Sequence, residues 1–125
     1  MNKYQDKKKV YLRYFYKDGQ KFIKVGITSS KDAEDRVKDN HKYDSKISWL
    51  EYFDDSKIVK SVVCPSEAHA EIVEQSILKA WGPKDVHFPV NFSGIREFRY
   101  FTKERLTEAV KQIETARKLN KTGWQ

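Results

Sequence analysis

One cysteine, Cys64, is all that the 125 residues contain. An internal disulfide is therefore excluded, as is any metal site assembled from several thiolates. Such sparing use of cysteine fits a reducing compartment. No apolar run approaches the length of a membrane helix, and the N-terminal stretch MNKYQDKKKV is polar, with no apolar signal segment. The expectation is a cytoplasmic protein without a membrane partner. Internal repeats and low-complexity tracts are missing too. The three histidines, His41, His69 and His87, show no metal-ligand spacing with one another.

Aromatic residues, by contrast, are plentiful at 14%, beside 38% hydrophobic and 34% charged residues, a balance that argues for a folded globular chain. The length suits a single domain over residues 10–119, with a loose basic arm at 1–9 and a frayed tail at 120–125. The formal net charge of +7 points to a polyanionic partner, nucleic acid above all, although solubility alone is the plainer account.

Hydrophobic patterning predicts the elements. Residues 10–16 are rich in β-branched and aromatic types and read as a strand. Lys17-Asp18-Gly19-Gln20 reads as a hairpin turn and residues 21–27 as the returning strand. On that strand Ile23, Val25 and Ile27 share the apolar face, which leaves Phe22, Lys24 and Gly26 on the other. Thr28-Ser29-Ser30 suits the start of a helix over 31–38. Residues 47–53 (ISWLEYF) read as a third strand and 57–64 as a fourth strand or a strand extension, with Cys64 packed as a small apolar residue. Ser66 caps a helix over 67–81, which Gly82-Pro83 stops. Residues 96–101 read as a short strand, and Thr102 caps a last helix over 103–119 with Leu106, Ala109, Val110 and Ile113 as its buried stripe. The order predicts an α/β (α+β) domain with a small, largely antiparallel sheet of three to four strands flanked by helices.

Within the helix at 67–81, Ala70, Val73, Ile77, Leu78 and Trp81 recur three and four apart. Glu74 falls four after Ala70 and four before Leu78, on the same face. A carboxylate there is costly unless it is paired, protonated or bound to a metal.

Four features now stand in order: Tyr11 within Val10-Tyr11-Leu12, Lys24 within Lys24-Val25-Gly26, Arg36 within KVGITSSKDAEDRV, and Glu74 within AEIVEQSILKAW. That order resembles the GIY-YIG nuclease superfamily. The two tripeptides stand where the family's two would be, with Lys24 in place of the second tyrosine. Gly94-Ile95-Arg96-Glu97-Phe98 is similar to a Gly-x-Glu-aromatic element of the family's phage-associated branch. The resemblance spans residues 10–101 and implies a GIY-YIG-like fold and a divalent-metal-dependent endonuclease acting on DNA, leaving a 5′-phosphate and a 3′-hydroxyl. It assigns Tyr11, Lys24, Arg36 and Glu74 to catalysis.

Phosphodiester hydrolysis has to activate water and to stabilise charge on the phosphate and the leaving oxygen. Glu74 is the expected ligand of Mg²⁺ or Mn²⁺, since an ion that keeps most of its waters needs few protein oxygens. Arg36 would clamp phosphate oxygens. Tyr11 would orient or deprotonate the attacking water. A phenol titrates near about 10, so Tyr11 needs a cation beside it, and Lys24 is the candidate. Tyr14, Gly26, His41, Asn91 and Arg96 are candidate substrate contacts. One site cuts one strand, so cleavage of both would call for a homodimer or rebinding.

Plainer readings stand beside these: strand packing for Tyr11, an open sheet face for Lys24, a solvated helix for Arg36, an ion network with Arg36 or Lys24 for Glu74, and turn or strand-edge roles for Asn91 and Glu97. The rival functions are a non-catalytic nucleic-acid-binding module on the same scaffold and a small inhibitor or adaptor whose basic face docks an acidic partner.

Overall fold

A computed structural model describes residues 7–29, 47–92 and 94–124. The expected helix at 31–38, with Arg36, and His41 lie outside the described residues. Alternation of β-branched and aromatic residues produces strands β1 (Lys8–Lys17) and β2 (Gln20–Thr28), joined by a two-residue turn. Asp18 and Gly19 take positive φ values of 51° and 79°, the backbone twist that a tight antiparallel hairpin requires. The turn is pinned from outside, where Asp54 Oδ2 accepts from the Asp18 N–H at 2.8 Å.

The chain continues through helix α1 (Trp49–Tyr52), strand β3 (Asp55–Cys64), helix α2 (Glu67–Trp81), a 3₁₀ turn (Ile95–Glu97), strand β4 (Phe98–Tyr100) and helix α3 (Lys103–Thr122). The strands form one antiparallel sheet, as the patterning predicts, and their order is β3-β1-β2-β4. Ser66 and Thr102 cap α2 and α3 by accepting from the backbone N–H of His69 and Arg105. Among the described residues, no helix is long and apolar enough to cross a membrane.

The sheet is covered on both faces. Val10, Leu12, Tyr14, Ile23, Val25, Val62 and Cys64 face α2 and α3, meeting Ala70, Val73, Ile77 and Trp81 from the first helix and Ala109, Ile113 and Ala116 from the second. The opposite face carries Tyr11, Phe15 and Phe22 against Trp49, Phe53, Val86, Phe92 and Phe98. The face of Lys24 is therefore no open surface but the floor of a second, aromatic core.

Several local expectations change. Residues 47–53 do not form a strand. Ser48 and Glu51 close a reciprocal capping box that nucleates α1, with Ser48 Oγ accepting from the Leu50 N–H and Glu51 Oε1 from the Ser48 N–H, both at 3.1 Å. The helical turn sends Trp49 and Phe53, four apart, onto Phe15, with ring centroids 5.3 Å and 4.8 Å away. Strand β1 begins at Lys8, inside the stretch expected to be a loose arm. Helix α3 outlasts its expected end. Arg117 and Asn120 donate to the outer carbonyls of Ser61 and Val63 on the edge strand β3, at 2.9 Å and 2.7 Å. These bonds close part of the edge to further pairing. Trp124, expected in a frayed tail, packs its ring 4.8 Å from that of His69.

Phe15 is fully buried and touches Trp49, Phe53 and Phe98. Phe15→Ala should lower unfolding stability by about 3–5 kcal/mol in urea titrations. Ile72→Ala, on a side chain that is 59% exposed, should stay within about 0.5 kcal/mol of the parent.

Candidate active site

The hairpin register decides which side chains meet. Tyr11 lies directly opposite Gly26, and Arg13 opposite Lys24. Tyr11 and Lys24 are thus diagonal neighbours on one face, within reach for long side chains. The Lys24 ammonium donates to Tyr11 Oη at 3.0 Å. Both residues are out of water, with Tyr11 fully buried and Lys24 2% exposed. Gly26 leaves the space they use. A Cβ there would stand 2.5 Å from Tyr11 Oη and would also collide with Lys24 Nζ.

Aromatic rings wall the ammonium. Its Nζ lies 4.9 Å from the ring centre of Tyr11, 5.0 Å from that of Trp49 and 5.9 Å from that of Phe98, close enough for cation–π attraction. Trp49 belongs to the segment expected to be a strand, so its part here was hidden from patterning. On the remaining side stands Glu97, whose Oε1 is 3.8 Å from Lys24 Nζ. Glu97 ends a 3₁₀ turn opened by Gly94 in the left-handed region, φ 73°.

Glu74, in the helical layer, is coupled to this group electrostatically. On α2 it sits half-buried among Ala70, Val73 and Ile77. Burial, then the negative charge of Glu97, push its carboxyl up to about 7; Lys24 pulls the other way, Glu71 adds to the rise, and a hydrogen bond with Gln75 opposes it. Lys24 and Glu97 are thereby its electrostatic neighbours. Among the described residues, Glu97 and not Glu74 is the carboxylate in ion-pair contact with Lys24. Strand β4 pairs with β2 only over Phe22, Ile23 and Lys24. Beyond Lys24, β2 has no strand on that side among the described residues.

Of the remaining candidates, Asn91 and Arg96 line a groove of about 310 Å³ together with Phe92, Gly94, Ile95 and Glu97. Glu97 is shared between that groove and the lysine. Tyr14 does not join the group. Strand alternation turns it to the helix-covered face, where Lys21 Nζ sits 4.0 Å above its ring, and burial, with the neighbouring Tyr16, raises its phenol. Tyr16 packs on that same face.

Glu97 is the residue that sequence reasoning undervalued. The motif around Gly94 and Phe98 was a signal for it, but the register that brings β4 beside Lys24 was not legible. Among the described residues no three metal-ligating side chains gather at one point. Glu74 nevertheless offers a hard oxygen donor to a small divalent cation, and such a cation needs few protein ligands.

The protonation of Glu74 has a consequence for stability. Its carboxyl sits at about 7 in the folded protein against an ordinary 4.5, so between those values the native state holds more protons than the unfolded chain. Without divalent cations, stability should therefore fall as pH rises from 4.5 to 7. Glu74→Gln should flatten that fall when Tm is followed against pH by circular dichroism. No protein-family model, curated protein or solved structure matches the chain, so the geometry above stands on its own.

Proposed function

We propose that the chain is a divalent-metal-dependent endonuclease of GIY-YIG type that hydrolyses DNA phosphodiester bonds. The observation that carries this reading is the buried contact of the Lys24 ammonium with the Tyr11 hydroxyl at 3.0 Å, across from a glycine that admits no side chain. A buried lysine–tyrosine pair is a poor choice for stability, since apolar side chains would fill the same volume without desolvating a charge. It is a good choice for handling a proton beside an anionic substrate.

In this mechanism Tyr11 acts as the phenolate, held in that form by the Lys24 ammonium that donates to its Oη. It orients the attacking water and takes its proton, ending as the neutral phenol while the hydroxide forms its bond to phosphorus. Glu74, with Glu97 close by in the same field, would hold the Mg²⁺ or Mn²⁺. When bound, that cation supplies Lewis-acid stabilisation of the phosphate and the leaving oxygen. Arg36 is assigned the phosphate clamp. Asn91 and Arg96, on the groove beside Glu97, are assigned contacts to the flanking strand, and the surplus of Lys and Arg supports general attraction to the backbone. One site of this kind cuts one strand, and double-strand cleavage would take a second protomer.

Plasmid nicking with Mg²⁺ or Mn²⁺ tests this. Glu74→Ala should lose activity by roughly 100-fold or more, while DNA binding measured without divalent ions stays within about twofold, because Glu74 makes no phosphate contact in this scheme. Gly26→Ala should lose activity comparably by separating Lys24 from Tyr11. A parent protein that binds DNA yet never nicks it with either ion would sink the nuclease reading and leave a non-catalytic binding module.

A further inference from the structure

Lys24 carries its charge almost wholly out of water, and a charge so placed has to find a counter-charge or strong acceptors. An ammonium has three N–H donors. The structure offers two hydrogen-bond acceptors, Tyr11 Oη at 3.0 Å and the Val25 carbonyl at 3.5 Å, and an ion-pair contact, the Glu97 carboxylate at 3.8 Å. Glu97 is the only one of these with a full negative charge, and among the described residues it is the only carboxylate in ion-pair contact with Lys24.

The path that brings Glu97 there is specific. The Glu97 N–H bonds back to the Gly94 carbonyl at 2.9 Å, closing the turn. A Cβ on Gly94 would stand 2.6 Å from Lys24 Cε and 2.9 Å from Glu97 Oε1, on a backbone of φ 73° that side chains disfavour. The turn therefore closes directly over the lysine stem. Glu97 itself keeps 29% of its side chain exposed, toward the groove that Asn91 and Arg96 line.

We propose that Glu97 is a positioning residue: it holds the Lys24 ammonium on the Tyr11 hydroxyl, and the turn opened by Gly94 is the element that delivers it. This rests on the nuclease reading of the same site. Glu97 acts through Lys24. Its loss frees the ammonium to swing from Tyr11 without removing any group that grips the DNA.

Glu97→Gln removes the charge and keeps the shape, whereas Glu97→Asp keeps the charge on a shorter arm. Each is compared with the parent by steady-state nicking with Mn²⁺, by DNA binding without divalent ions, and by the ¹H–¹⁵N signal of the Lys24 ammonium in ¹⁵N-lysine-labelled protein, assigned with Lys24→Met. Expected for Glu97→Gln is a fall in kcat of roughly 10–100-fold, the range for partners that orient a functional group, with KM and DNA affinity little changed. The ammonium signal, protected in the parent, should be lost in Glu97→Gln and kept in part in Glu97→Asp, which should also regain part of kcat. An unchanged kcat in a parent that nicks, or an ammonium signal that survives in Glu97→Gln, would overturn the proposal. If the parent never nicks, the nuclease reading fails, and the ammonium signal alone decides whether Glu97 holds Lys24. If Glu97→Gln does not fold, Glu97→Asp decides, since a shorter arm should weaken the signal and lower kcat together.

Discussion

A positive charge buried between strands and rings is the constraint around which this fold is arranged. Lys24 projects from the middle of β2 into an aromatic core, 2% exposed. Moving an ion from water costs several kcal/mol even in a relaxed protein interior, of the order that a whole small domain has to spare. The neighbours of Lys24 answer that cost in three ways: acceptors on Tyr11 and Val25, a carboxylate on Glu97, and the π faces of Tyr11, Trp49 and Phe98. Gly26 and Gly94 contribute by having no side chain, since a Cβ on either would occupy the space of the lysine or its partners. Residues from four separate stretches of chain are committed to one amine.

The hairpin is the measuring device. A two-residue turn at Asp18-Gly19 sets Tyr11 opposite Gly26 and Arg13 opposite Lys24. Because strand side chains alternate, a slip of one residue in either strand would carry Tyr11 or Lys24 to the helix-covered face and bring Leu12 or Val25 in its place. Such a slip is strongly disfavoured here because both faces are packed, one by α2 and α3 and the other by the aromatic cluster. The rigidity that holds the lysine–tyrosine contact is thus the ordinary rigidity of a two-sided core.

Glu74 shows how the two layers communicate. It belongs to the helical layer, yet its carboxyl feels Lys24 and Glu97, which belong to the aromatic layer. The short β4 accompanies β2 only as far as Lys24. Two carboxylates of different layers therefore share one field with one ammonium. This is the kind of place where local packing rules give way to chemistry, and where a titration displaced by burial and a like charge is commonly found.

Much of this could be read from residue order. The hairpin, the caps at Ser66 and Thr102, the span of α2 and the inward tilt of Glu74 follow from period, turn chemistry and capping, which are local properties of the chain. The pairing of Tyr11 with Lys24 also follows once the turn is placed, because the register of a tight hairpin is local. The covering of the Lys24 face, the part of Trp49 and the arrival of Glu97 were not legible. A segment as aromatic as ISWLEYF fits a strand and a single helical turn alike, and the choice fell to a capping box and to the room beside Phe15. Glu97 reaches Lys24 only because β4 docks on β2 at Phe22, Ile23 and Lys24, a contact between residues more than seventy positions apart. Local sequence determined the hairpin, the two long helices and which way each side chain leaves them. Tertiary packing alone decided that the lysine is buried and which acid stands beside it, because long-range contacts depend on how layers close and not on any period within them.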